Sequence, residues 1–258
     1  ELIDIGGPTL VRAAAKNHAR VGIVTDPSRY DEVLGELRAD GSLSEATRQR
    51  LARDAFAHTA AYDAEILAWF EAGMPAPGGV ADAPAELPAT IELTLDRSQV
   101  LRYGENPHQV GARYTTRGEQ GWWATAVQHG GKEMSYLNVY DTEAAWQLVH
   151  SLGDGPAAVV IKHANPCGAA VADDILAAYT SAHECDPVSA FGGIVAVNRP
   201  VTRAVAEAIG PVFTEVLVAP GYEPDALARL QEKKKNLRII EATAPKVPDL
   251  SLRPIDGG

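Results

Sequence analysis

The sequence predicts an α/β fold in two units. Residues 1–72 read as helix, strand and helices joined by glycine-rich turns. Beyond residue 101, short apolar runs alternate with segments of helical period, the pattern of strands buried between helices. Between the two, residues 73–88 are rich in Pro, Gly and Ala without apolar period, which makes them the linker.

Taken in order, Asp4-Ile5-Gly6-Gly7-Pro8 is a turn feeding a helix, with Pro8 suited to the first helical position. That helix carries Leu10, Ala13 and Ala14 and ends at Lys16-Asn17-His18. Val21-Gly22-Ile23-Val24 is a buried-strand candidate. Asp26-Pro27-Ser28 starts a second helix through Tyr30, Val33, Leu34 and Leu37. Ser44, with Thr47 behind it, opens a long helix to Phe70, whose apolar marks include Leu51, Ala55, Phe56 and Leu67. Residues 91–95 alternate as a connector strand would. Strands follow at 157–162, 193–197 and 216–219, and helices at 175–183, 202–209 and 224–235. Lys233-Lys234-Lys235 suits the end of a helix dipole without any ligand. The expected division is 1–72, a linker and connector strand over 73–100, and 101–258.

The chain has 258 residues, 46% apolar and 22% charged, enough for a sizeable core without disulfide or metal support. A net charge of -11 argues against a non-specific nucleic-acid binder but leaves room for a basic pocket around one small phosphate. Two cysteines, Cys167 and Cys185, are too few for a disulfide framework, so a reducing compartment is expected. No apolar run approaches the roughly 20 residues that span a bilayer. The chain opens on Glu1-Leu2-Ile3-Asp4 in what reads as mid-element and closes without a helix, so both ends are expected to be cut.

Lys162-His163-Ala164-Asn165-Pro166-Cys167-Gly168 is the sharpest chemical feature. An apolar strand ends there in a cation, an imidazole, an amide and a Pro/Gly turn, and open α/β sheets bind ligands beyond the carboxyl ends of their strands. Histidine shuttles protons near neutrality, and an adjacent lysine can stabilise an oxyanion or a phosphate. The bland alternative is a polar turn at a strand end. Arg102-Tyr103-Gly104-Glu105-Asn106-Pro107-His108 joins a guanidinium suited to phosphate with a phenol able to stack on a base, or is a surface turn. Ser189-Ala190-Phe191-Gly192-Gly193 permits close backbone approach to a ligand, or is a plain strand entry. Gly6 and Gly7 before a helix could present N–H groups to an anion, and Asp4 with Lys16 could form an acid/base pair. His163, Cys167, His183 and Cys185 are zinc-type ligands, but their spacings match neither finger nor ribbon. The deaminase pattern Pro-Cys-x-x-Cys fails at Ala170, so no metal is expected.

Five strings in order (Asp4 to His18, Leu101 to Gln109, Lys162 to Gly168, Ser189 to Gly193, and Ala219-Pro220-Gly221-Tyr222-Glu223) resemble the bifunctional AICAR transformylase/IMP cyclohydrolase family over essentially the whole chain. The resemblance implies the later part of a methylglyoxal-synthase-like cyclohydrolase domain, then the first part of a transformylase domain with a cytidine-deaminase-like α/β subdomain and no zinc. It implies formyl transfer from 10-formyltetrahydrofolate to AICAR and closure of formyl-AICAR to IMP with loss of water. It also implies a cytoplasmic homodimer with no nucleic-acid or membrane partner. Residue by residue, it assigns Lys162 and His163 as the transfer pair, Asp4 and Lys16 to ring closure, and Gly6 and Gly7 as backbone along the nucleotide. Arg102, Tyr103, Asn138, Phe191, Gly192 and Glu215 become substrate contacts, Glu215 standing where relatives carry Asp. The family's phosphate loop would precede Glu1, and a later catalytic Asn and most of the folate pocket would follow Gly258. The alternative is a truncated, non-catalytic nucleotide-binding module.

Overall fold

The computed structural model describes residues 2–74, 93–233, 235–246 and 251–253, with single positions 87, 91 and 256. Most of the linker expected at 73–88, part of the strand expected at 91–95, and Lys234 lie outside the described residues. The chain divides into two units, Glu1–Pro88 and Ala89–Gly258.

The first unit holds α1 (Gly6–Lys16), a 3-10 turn (Pro27–Arg29), α2 (Tyr30–Asp40) and α3 (Glu45–Glu71). Asp4 accepts the Gly7 N–H at 3.0 Å, so α1 winds from Gly6 and Pro8 sits in its third position rather than its first. The proline is tolerated because the N–H it lacks would find no intrahelical partner in the first turn. Residues 21–24, expected as a strand, are not in one: no strand is described in this unit to pair with them. Ile23 instead packs with Val11 on a core of Ala15, Ala52 and Ala55. Ser44 caps α3 by accepting the Thr47 N–H, as its place before the helix predicts. The Asp26 carboxylate likewise accepts the Ser28 N–H at the start of the 3-10 turn.

The second unit is a three-layer sandwich. Its strands are β1 (Leu95–Leu101), β2 (Gly111–Thr116), β3 (Val127–Gly130), β4 (Ala157–Lys162), β5 (Asn165–Val171), β6 (Gly193–Val197), β7 (Thr214–Ala219) and β8 (Arg238–Glu241). Its helices are α4 (Trp122–Thr125), α5 (Tyr136–Ser151), α6 (Ile175–Glu184), α7 (Arg203–Ile209) and α8 (Pro224–Lys233). β1 and β2 form a two-stranded hairpin, and the rest make a six-stranded sheet in the order β3-β8-β7-β6-β4-β5. β6, β7 and β8 run parallel, while β4 is antiparallel to β6, β5 to β4, and β3 to β8. Alternate residues of one strand serve opposite faces. Ala158 and Val160 of β4 join a core under α6, α7 and α8, while Ala157, Val159 and Ile161 join one under α5 with Trp122 and Trp146. Burial on both faces explains why the central strands read as unbroken apolar runs.

Two expectations change here. The connector strand begins at Leu95, where it was expected to end, because the ladder to β2 starts there, with Leu95 opposite Thr116. Asn165-Pro166-Cys167-Gly168 is not a turn but the start of β5, and the hairpin turn is only His163-Ala164. Pro166 fits because β5 is an edge strand and has a free side to its ladder.

Candidate functional site at one end of the sheet

Lys162 ends β4, and His163 and Ala164 form the turn into β5 with φ of 53° and 56°. Two successive left-handed residues match the twist of a two-residue hairpin, yet both carry a Cβ that resists this conformation. Two polar contacts brace it. The Asp141 carboxylate accepts the Ala164 N–H at 2.9 Å, and the Asn165 amide donates to the His163 carbonyl at 2.7 Å. The His163 side chain is left exposed. Beside it the Lys162 ammonium donates to the Phe191 carbonyl at 3.0 Å, which ties the end of β4 to the entry of β6.

Asn138 and Asp141 lie one helical turn apart on α5 and share a face. Ser135 and Asn138 close a capping box at the helix start. The Asn138 amide also donates to Glu215 at 2.6 Å, near the start of β7. Arg238, the first residue of β8, lies 3.5 Å from the same Glu215 oxygen and donates to the Glu133 carbonyl. Burial holds the Arg238 guanidinium below its usual range, Glu215 opposes that, and Arg102 adds to it. The Arg102 guanidinium stacks on the Tyr103 ring at 4.7 Å and donates to its hydroxyl. Burial raises the Asp141 carboxyl above the ordinary carboxylate range, against the stabilising His163 and Ala164 N–H groups.

Lys162, His163, Asn138, Glu215, Phe191, Arg102 and Tyr103 thus meet at one end of the second unit. The strand-end rule holds there only in part. This end is the carboxyl end of β4 but the amino end of β6, β7 and β8, because β4 runs against them. Gly192 has a φ of 77° and gives its N–H to the Phe213 carbonyl at 2.7 Å, while the exposed Phe191 ring meets Phe213 at 5.2 Å. The close approach expected of these glycines is partly between strands: a Cβ on Gly193 would stand 2.8 Å from the Ile161 carbonyl.

In the first unit, Asp4 and Lys16 are not brought together. They stand at opposite ends of α1, an 11-residue helix, so about 15 Å of helix axis separates them and they form no hydrogen-bonded pair. Asp4 is occupied by the Gly7 N–H, and its own N–H donates to the Tyr62 hydroxyl at 2.7 Å. One of the two glycine N–H groups expected to face an anion is therefore already taken. Among the described residues no group of three His, Cys, Asp or Glu side chains is placed to hold a metal ion. Burial raises the Cys167 thiol, which packs against the core beneath α6. A separate hollow of about 450 Å³ between β2, α4 and α5 is lined by Arg113, Trp123, Tyr136 and Tyr140, and by none of the residues above.

Asp141 and Arg238 escaped the sequence reading. The signal for Asp141 was its spacing from Asn138 behind a Ser-x-x-Asn helix start. The signal for Arg238 was a lone cation inside Leu237-Arg238-Ile239-Ile240.

The model of the family described as the AICARFT/IMPCHase bienzyme matches residues 14–258. Over its whole length the chain is 49% identical to the "Bifunctional purine biosynthesis protein PurH" of Sorangium cellulosum, of which it covers 50%. It is 47% identical to the protein of that name from Dinoroseobacter shibae and 46% to that from Cutibacterium acnes, covering 48% of each. The chain spans about half the length of the curated relatives it matches.

Proposed function

Because the chain belongs to the AICARFT/IMPCHase bienzyme family, we propose that, within a longer protein, it serves formyl transfer from 10-formyltetrahydrofolate to AICAR and closure of the product to IMP with loss of water. The carrying observation is the meeting of Lys162, His163, Asn138, Glu215 and Arg102 at one end of the second unit's sheet, each on a different element or turn.

The amine of AICAR is a weak nucleophile, since its lone pair is drawn into the imidazole and the carboxamide. Formyl transfer therefore needs a proton removed as the new C–N bond forms. His163, exposed on its turn, is the shuttle. Lys162, anchored through the Phe191 carbonyl, presents a fixed positive charge to the developing oxyanion. Arg102 takes phosphate, Tyr103 and Phe191 offer ring faces, and Asn138 and Glu215 supply hydrogen bonds to the carboxamide or ribose. The 10-formyltetrahydrofolate is a substrate here, and no residue of this chain is assigned to hold it.

Ring closure is assigned to the first unit, with Gly6 and Gly7 along the nucleotide. With a helix length between them, Asp4 and Lys16 act on different atoms rather than exchanging one proton. The domain division is 1–72 for the cyclohydrolase part and 101–258 for the transformylase part. We propose a cytoplasmic homodimer. Among the described residues no helix is long and apolar enough to cross a membrane.

The test is made in the longer protein. His163→Ala is expected to lower formyl transfer by about 10²–10⁴-fold, the usual loss for a proton shuttle, with cyclisation of supplied formyl-AICAR and the melting temperature unchanged. Lys16→Ala is expected to do the reverse. Near-normal transfer by His163→Ala, or equal loss of both activities, would refute the assignment.

A further inference from the structure

We propose that Asp141 is a positioning residue for the transfer reaction: it holds the His163–Ala164 turn in its left-handed form and thereby fixes where the His163 imidazole stands. The proposal rests on the reading of His163 as the proton shuttle.

The turn has no intrinsic reason to take this shape. Two-residue hairpins of this hand favour Asn-Gly or Gly-Gly, because φ is positive at both positions. Here the residues are His163 and Ala164, at φ of 53° and 56°, and a Cβ at either disfavours that region. Such a conformation persists only where the surroundings over-determine it. Asn165 contributes from within the hairpin, through the His163 carbonyl. Asp141 is the contact from outside it: its Oδ1 takes the Ala164 N–H at 2.9 Å, and the His163 N–H also faces the carboxylate.

Asp141 is well placed to impose a position. It sits on α5, whose Ala145, Trp146 and Val149 are fully buried against the sheet. One turn earlier on the same helix, Asn138 holds Glu215. One face of α5 therefore contacts both the backbone of the turn that carries His163 and the Glu215 carboxylate. Asp141 as a whole residue is only 9% exposed and has no ion pair among the described residues. A buried carboxylate outside any ion pair is unfavourable for stability alone, whereas one that accepts a backbone N–H of a strained turn has a geometric role. A general base displaced by an ångström loses its reach to the proton.

The experiment measures kcat and KM for formyl transfer, with the melting temperature, in the longer protein. The variants are Asp141→Ala, Asp141→Asn, His163→Ala and the double variant Asp141→Ala/His163→Ala. Asp141→Ala is expected to lower kcat about ten- to a hundredfold while KM stays within about threefold. Asp141→Asn keeps one acceptor oxygen and is expected to lose less. Since Asp141 acts through His163, the double variant is expected to be no slower than His163→Ala alone. A further loss in the double variant, or parallel falls in kcat, nucleotide affinity and melting temperature, marks a merely structural residue and overturns the proposal. If Asp141→Ala does not fold, Asp141→Leu, which has similar volume and no acceptor, decides: a kcat within about twofold of the parent overturns the proposal. An inactive His163→Ala beside a normal Asp141→Ala overturns this inference alone, whereas an active His163→Ala overturns the proton-shuttle reading and the inference with it.

Discussion

Gly168 is the tightest place on the hairpin that carries His163. A Cβ there would run into the Ala182 carbonyl near the end of α6 and stand 2.8 Å from the Cys185 Cβ. Neither obstacle is the far end of a flexible side chain, so Gly168→Ala is expected to push β5 off α6. Overpacking of this kind costs about 1–3 kcal/mol. Calorimetry on the variant is expected to show a lower melting temperature, and an unchanged one would remove the claim. Single residues also differ most in how far the sequence alone exposes them. Lys162 and His163 stood out because polar groups of that kind end an apolar strand abruptly. Asp141 did not, because its meaning comes from an N–H supplied 23 residues later by Ala164, and no local pattern encodes that distance. Arg238 was hidden in the same way, since its partners, Glu215 on β7 and Glu133 in the loop before α5, lie far from it in sequence.

At the scale of the element, the Glu36 carboxylate ties α2 to the start of α3, beside the Glu32–Arg50 pair further along the two helices. Glu36 of α2 accepts from the Thr47 hydroxyl and from the Ser44 N–H at 2.8 Å, while Ser44 itself caps α3. These contacts, the Thr47 hydroxyl first and the Ser44 N–H next, hold the Glu36 carboxyl below the usual range. A carboxyl lowered by folding stabilises the fold above its unfolded pKa, and the gain is lost as the pH falls through the folded value. Glu36→Gln is therefore expected to lower the melting temperature of the joint at neutral pH. The gap from the parent should close as the pH drops below about 4. A gap that is constant with pH would show that the charge is irrelevant. Helices with such starts were plain in the sequence, as Ser44 and Asp26 were, because a cap is a local event. The β4–β5 hairpin was not, since His163-Ala164 lacks the Asn-Gly signature of its turn. The expected strand at 21–24 failed for the opposite reason: its residues are apolar enough, but a strand exists only beside a partner.

At the scale of the whole molecule, the two units differ in what they bury. The second has a core on each face of its sheet, with Trp146, Ile161, Ile194, Leu217, Leu230 and Ile239 essentially inaccessible. The first buries mainly small residues, Ala15, Ala52 and Ala55, with Leu51 the one large apolar side chain among its described buried residues, and leaves Leu10 72%, Leu67 53% and Phe70 51% exposed. Burial at about 25 cal/mol per Å² of apolar surface favours the second unit strongly. Residues 89–258 expressed alone are expected to melt in one cooperative calorimetric transition, and residues 1–88 alone without one; a sharp transition in the shorter piece would contradict this. The α/β class was readable because it depends on periodicity, whereas the mixed strand directions were not, because direction depends on which distant strands pair. Pairing between distant strands also bears on how the chain is made. Among the described residues, strand β3 pairs only with β8, Val127 lying opposite Glu241. The loop between them is on the order of 110 residues, and closing it costs about 2 kcal/mol more than closing one of ten. On a ribosome adding roughly 5–20 residues each second, β3 emerges on the order of ten seconds before its partner exists. For that interval the nascent chain carries Val127-Gln128-His129-Gly130 with nothing to zip against, so this rim of the sheet is the last to close.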